Sequence, residues 1–147
     1  MGSRRKAREH VLLALYAADM EEQPHDEALA SLWDSLVDDT DSAFGNRPAD
    51  AEEVEFSRTL VDGVAAQRVE LDTQIDACSN NWRVERMSLV DRNILRMGVC
   101  ELTTLTEIPV NVTLNEMVEL GKKYGTVDSG GFINGILDRI ARNIGRL

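Results

Sequence analysis

An all-α fold is expected for this chain, and three observations carry the expectation. Apolar residues recur at helical spacing in one segment after another. Helix start and stop signals stand between those segments, among them Ser88 with Asp91 and the glycine Gly125. The one segment that alternates as a strand would, 110–114, also fits a helical face.

The first helix is expected roughly from Arg4 to Glu22, with Val11, Leu12, Ala14, Leu15 and Ala18 on its apolar face. Arg4 to Arg8 followed by Val11 to Ala18 has the outline of a secretory signal. Glu9 and His10 interrupt that outline and the apolar run is short, so the segment reads as part of a folded, cytoplasmic domain. Pro24, Asp26 and Glu27 suit the start of a second helix that carries Leu29, Leu32, Trp33, Leu36 and Val37 on one face. Residues 38–50, with Gly45, Asn46 and Pro48, read as a loop.

A long helix is expected from about Asp50, with Val54, Leu60, Val61, Val64, Leu71, Ile75 and Cys78 inward. Gly63 within it implies close packing or a break. Ser79-Asn80-Asn81 ends it, an asparagine being suited to a left-handed terminal residue. A short turn from Arg83 to Met87 precedes a helix started by Ser88 and Asp91, with Leu95, Val99 and Leu102 inward and Gly98 allowing a neighbour to approach. Val110, Leu114, Met117, Val118 and Gly121 form the next face, for which Thr113 and Glu116 suggest a capping box and Gly125 a glycine stop. Asp128 or Ser129 then caps a last helix with Phe132, Ile133, Ile136, Leu137 and Ile140 inward.

Composition narrows the function. The 147 residues suit one domain, taken as 1–147. No apolar run approaches the roughly 18 residues of a membrane span. Cys78 and Cys100 lie in apolar helical patterns, and with His10 and His25 dispersed there is no zinc-ligand spacing. No phosphate-cradling glycine loop is present, Gly130-Gly131 is too short for one, and the acidic run at Asp38, Asp39 and Asp41 lacks the calcium-loop spacing. No catalytic activity, cofactor or metal is expected.

Charge points to a binding role. The net charge is -10, yet the chain opens on Arg4-Arg5-Lys6-Ala7-Arg8, and from Asp19 to Asp62 acidic residues outnumber basic ones fourteen to two. Lys and Arg gain affinity for polyanions by displacing condensed counterions, while the acidic remainder keeps such binding local. A solvated, frayed terminus is the bland alternative. Lys122, Lys123 and Tyr124 close one helix and Asp128, Ser129 and Phe132 open the next, which extends the binding constellation. The macrodipole alone also favours the two lysines there.

Several motifs resemble the NusB family of transcription antitermination factors. They are Arg4-Arg5-Lys6-Ala7-Arg8-Glu9 with Ala14-Leu15-Tyr16, then Asp91-Arg92-Asn93-Ile94-Leu95-Arg96, then the run from Ile108 to Asp138. That run holds Ile108-Pro109-Val110-Asn111-Val112, Lys122-Lys123-Tyr124-Gly125, Asp128-Ser129 and Phe132-Ile133-Asn134-Gly135-Ile136-Leu137-Asp138. The resemblance implies two small helical bundles in one domain. It implies binding of single-stranded boxA RNA from ribosomal RNA leader transcripts, as a heterodimer with the small-subunit ribosomal protein NusE, within an elongation complex that holds other Nus factors.

By position, the resemblance makes Arg4, Arg5, Lys6 and Arg8 the RNA-binding arm. It places Asp128 and Phe132 near the RNA path, with Phe132 as the stacking ring, and Lys122, Lys123 and Ser129 of the constellation above are counted with them as RNA-binding. Glu85 and Asp91 fall on the partner side, and Tyr16 matches a functionally sensitive tyrosine. Two positions depart from the family pattern. Gly130-Gly131 stands where a lysine often precedes the phenylalanine, and Cys100 stands where an aromatic is common. Two other readings are weighed beside this one: an accessory region of an RNA cytosine methyltransferase, for which the chain lacks a cofactor domain, and a purely protein-binding helical scaffold.

Overall fold

The periodicity resolves into helices wherever the chain is described. A computed structural model describes residues 2–21, 27, 51–80 and 82–147, and the helix and loop expected over 24–50 lie outside all but one of these. The described residues hold α1 (Gly2–Glu21), α2 (Ala51–Cys78), a 3-10 turn (Val84–Arg86), α3 (Leu89–Thr104), α4 (Val110–Tyr124) and α5 (Ser129–Asn143). No strand occurs among them, so 110–114 is helical. They divide into two compact units, one up to Asp62 and one over Gly63–Leu147.

In the first unit, α1 starts before the basic run, so Arg4 to Arg8 lie within the helix. Val11, Leu12, Ala14, Leu15 and Ala18 are all buried, as their spacing requires. The start of α2 contributes Phe56, Leu60 and Val61 to the same core. Ser57 Oγ donates to the Ala7 carbonyl at 3.4 Å, which ties the two helices.

In the second unit, α3, α4 and α5 pack on one another through Ile94, Leu95, Met97, Leu102, Met117, Ile133, Leu137 and Ile140, each buried almost completely. Helices come this close only where side chains are small. A Cβ on Gly98 would stand 2.7 Å from Leu137 Cδ1, and one on Gly121 2.8 Å from Ile133 Cδ1. Gly63 also serves close packing, since its Cβ would stand 2.7 Å from Cys100 Sγ. The irregular point in α2 lies instead at Gln67, with φ -114° and ψ 16°.

Polar groups fix the ends. Ser88 caps α3, accepting from the Asp91 N–H at 3.1 Å. Asn80 takes a left-handed φ of 54° after α2, as expected for its residue type. Arg146 donates to the carbonyls of Leu102, Thr106 and Ile108, holding the α3–α4 loop.

Two expected caps are not formed. α4 begins at Val110 with Pro109 in the capping position, and Thr113 is buried, donating to Glu101 Oε1 at 2.9 Å. A buried carboxylate without that hydroxyl would be costly, and this tertiary demand outweighs a local capping box with Glu116. At α5, Asp128 holds the N-cap position without a side-chain bond, and Ser129 Oγ accepts from the Thr126 N–H at 2.9 Å, bracing the preceding turn. Gly125 does end α4, but its φ of -97° is open to any residue. A Cβ there would overlap the Ser129 side chain, so glycine is required for space.

Candidate nucleic-acid interface

The basic arm belongs to the first unit. Arg4 and Arg8, one turn apart on α1, both lie over the Phe56 ring, at 4.9 and 5.1 Å from its centroid. Arg4 also reaches Glu52 at 3.8 Å. Cations over an aromatic face are attracted by the ring quadrupole. Arg4 and Arg5 are exposed and Lys6 is half-buried, but Arg8 is only 3% exposed. Three of the four predicted arm cations therefore present themselves to solvent, and the fourth braces α1 against α2. Tyr16 is half-buried further along α1.

The second unit holds a cavity of about 340 Å³ lined by Trp82, Arg86, Met87, Ser88, Asp91, Thr126, Asp128, Ser129 and Phe132. Chain segments far apart in sequence meet here: the turn after α2, the start of α3 and the α4–α5 junction. The cavity brings Asp91, predicted on the partner side, together with Asp128, Ser129 and Phe132, predicted on the RNA side. Asp91 Oδ1 is shielded from solvent and has no hydrogen-bond partner among the described residues. Phe132 is half-buried, neither a sealed core ring nor a free one.

Glu85 lies outside the cavity on the 3-10 turn, exposed and 3.4 Å from Arg83. Lys122 and Lys123 are exposed in the last turn of α4. Lys122 Nζ lies 3.5 Å from Glu119 and Lys123 Nζ 5.4 Å from the Tyr124 ring centroid. The Lys122 stem runs beside Gly130, where a Cβ would meet its Cγ at 3.4 Å. A lysine stem thus borders the glycine pair.

Trp82, Arg86, Thr126 and Phe56 were not marked by the sequence reading. A tryptophan directly after the Asn-Asn helix stop, where no periodic face needs it, is the signal that would have singled out Trp82. Phe56 stands four residues before Leu60 and eight before Val64, on the face already assigned to α2.

The NusB family model matches residues 5–142. The chain belongs to the NusB family. The transcription antitermination protein NusB of Myxococcus xanthus is 44% identical over 141 residues, covering 96% of each chain. The NusB structure of T. maritima is 33% identical and superposes with a TM-score of 0.82, covering 95% of this chain and 90% of that one. A crystal structure of the antitermination factors NusB and NusE in complex with double-stranded RNA aligns at 26% identity and a TM-score of 0.82, over 97% and 98% of the two chains. These relatives bear out the all-helical NusB-like architecture expected from the sequence. Among the described residues, no helix is long and apolar enough to cross a membrane.

Proposed function

We propose that this NusB-family chain is a non-catalytic, cytoplasmic transcription antitermination factor, acting as one RNA-binding domain over 1–147. It binds boxA-type single-stranded RNA of ribosomal RNA leader transcripts together with the ribosomal protein NusE, and joins the elongation complex with other Nus factors. The observation that carries this reading is the cavity in which Phe132 meets Asp128, Ser129 and Asp91. A half-buried ring beside hydrogen-bonding side chains suits an unstacked base, and single strands are the form in which bases are free to splay onto aromatic rings. The relative crystallised with NusE and double-stranded RNA supports NusE and RNA as the classes of partner.

The roles divide among these residues as the family resemblance implies. Arg4, Arg5 and Lys6 supply phosphate contacts, which add affinity without reading sequence. Lys122 and Lys123 add charge beside the α4–α5 junction. Phe132 stacks a base with Asp128 at its edge, while Ser129, buried and bonded to Thr126, holds the turn beside it. Glu85, Asp91 and Tyr16 serve the partner.

Titration of boxA-like and scrambled RNA, with and without NusE, tests the reading. Binding is expected to be weak for the chain alone and tighter with the partner, with boxA preferred. Phe132→Ala is expected to cost about 1–3 kcal/mol of RNA affinity, and Phe132→Trp to retain it. Its stability cost should fall below the roughly 3–5 kcal/mol of a fully buried phenylalanine. Equal affinity for boxA and scrambled RNA in the heterodimer rejects the boxA assignment, and unchanged RNA affinity in folded Phe132→Ala rejects the stacking role.

A further inference from the structure

A second cavity, of about 370 Å³, lies beside the first. Trp82 and Phe132 line both. Trp82 and Phe132 are thus the walls that the two hollows share, a Trp82–Phe132 ridge. Both hollows fall within the roughly 300–1,000 Å³ usual for small-ligand sites.

Trp82 is 55% exposed, an unusual setting for so large an apolar side chain. Its backbone is nonetheless held firmly. The Trp82 N–H donates to the Ser79 carbonyl at 3.2 Å, and Ser79 Oγ donates back to the Trp82 carbonyl. Two residues on, the Val84 N–H donates to Asp76 Oδ1 at 2.8 Å. An exposed indole on a braced turn loses little conformational entropy when something stacks on it.

The two hollows differ in charge. Among the described residues, the first has the carboxylates of Asp91 and Asp128 against the single cation Arg86. Such a site repels a phosphate but suits the donor edge of a base, for which the exposed Asp128 carboxylate is an acceptor. Among the described residues, the second hollow has Arg139 as its only formal charge. Arg139 is braced across it by donating to the Cys78 carbonyl. Gly131 and Gly135 form part of its wall, and a Cβ on either would meet nothing within 4 Å. A bare helix face with a cation opposite suits a sugar–phosphate backbone.

We propose that Trp82 is a second stacking residue, and that a single RNA strand crosses the Trp82–Phe132 ridge with one nucleotide's base in the acidic hollow and the adjoining backbone in the glycine-walled one. The inference rests on the RNA-binding reading above and deepens it. It also gives the departure at Gly130-Gly131 a role, because a side chain at Gly131 would narrow the second hollow.

The test uses the full chain with NusE and a boxA-like RNA oligonucleotide. Trp33→Phe leaves Trp82 as the sole tryptophan, and its emission should be quenched on adding RNA but not on adding NusE alone. Trp82→Ala should weaken RNA binding by roughly 5- to 150-fold, the equivalent of about 1–3 kcal/mol of base stacking. Trp82→Phe should recover most of that loss. Gly131→Met fills the second hollow without removing any group and should weaken RNA binding while leaving thermal stability intact. If Trp82→Ala and Gly131→Met both bind RNA within about twofold of the parent, the ridge is refuted and the RNA-binding reading stands. If the parent heterodimer binds no RNA, both fall. If Trp82→Ala loses NusE and keeps RNA, the ridge is a protein contact and the inference is overturned.

Discussion

Arg96 and Asp72 form a two-point ion pair, with Nε to Oδ1 at 2.8 Å and the second guanidinium nitrogen to Oδ2 at 3.0 Å. The remaining terminal nitrogen donates to Asn93 Oδ1 at 3.1 Å, and Asn93 in turn donates to the Leu89 carbonyl. Two polar members of the Asn93-Ile94-Leu95-Arg96 motif thus act structurally, clamping α3 to the second half of α2. The Arg96 side chain is 4% exposed and that of Asp72 28%. Removing the carboxylate takes the counter-charge and two hydrogen bonds from the buried guanidinium, so Asp72→Ala should destabilise the chain by roughly 3–5 kcal/mol. Arg96→Met should cost less, since Asp72 keeps some water. The double variant Asp72→Ala/Arg96→Met should recover part of the loss. Denaturant unfolding of the four proteins measures the coupling, and strict additivity would mean that the pair is not energetically linked.

The glycines divide sharply in what they tolerate. At Gly98 a methyl would lie 2.7 and 2.9 Å from the two Leu137 methyls, so Gly98→Ala should cost about 1–3 kcal/mol through overpacking. At Gly135, in the interior of α5, a methyl meets nothing within 4 Å, so Gly135→Ala should stabilise by roughly 0.5–1 kcal/mol through helix propensity. Thermal melts of the two single variants should move in opposite directions.

Much of the fold was legible because helical spacing and local caps are properties of neighbouring residues. The buried face of α1, the Ser88 cap, the left-handed Asn80 and the close approaches at Gly63 and Gly98 all follow from such patterns. What was not legible depends on partners distant in sequence. Thr113 has the spacing of a capping box, yet Glu101 from the preceding helix claims its hydroxyl. Arg8 reads as an arm cation, yet Phe56 faces it from α2. For the site, family resemblance pointed to Asp91, Asp128 and Phe132 separately. That they line one cavity, with Trp82 as a further wall, emerges only from the packing of α3 against α5 and their flanking turns.

The arm makes a salt-dependence prediction. Arg4, Arg5 and Lys6 present to solvent, and each phosphate contact on a single strand contributes about -0.7 to the slope of log K against log salt. Replacing these three with Ala should flatten the slope by about 2 and weaken boxA and scrambled RNA alike. Arg8→Ala should act differently, lowering stability through its lost packing on Phe56 while changing the slope little. A slope unchanged in the triple variant would remove the arm from the RNA site.

Asp91 separates the two partners because it lines the cavity that also holds Phe132. Its backbone N–H, not its carboxylate, completes the Ser88 cap. Asp91→Asn should therefore leave α3 capped while removing the charge. Asp91→Lys should destabilise by roughly 0.3–1 kcal/mol, since a cation opposes the dipole at a helix N-terminus. If the residue faces a basic partner protein, the Lys variant should abolish heterodimer formation, like charge against like charge costing several kcal/mol. RNA binding by the chain alone should then change little. If the residue instead reads a base edge, Asp91→Asn should already reduce RNA affinity without NusE, and the heterodimer should still form. Calorimetry with NusE, run beside RNA titrations of the same folded variants, distinguishes the outcomes. Normal heterodimer formation by Asp91→Lys would move the partner surface away from this cavity and leave Asp91 to the RNA.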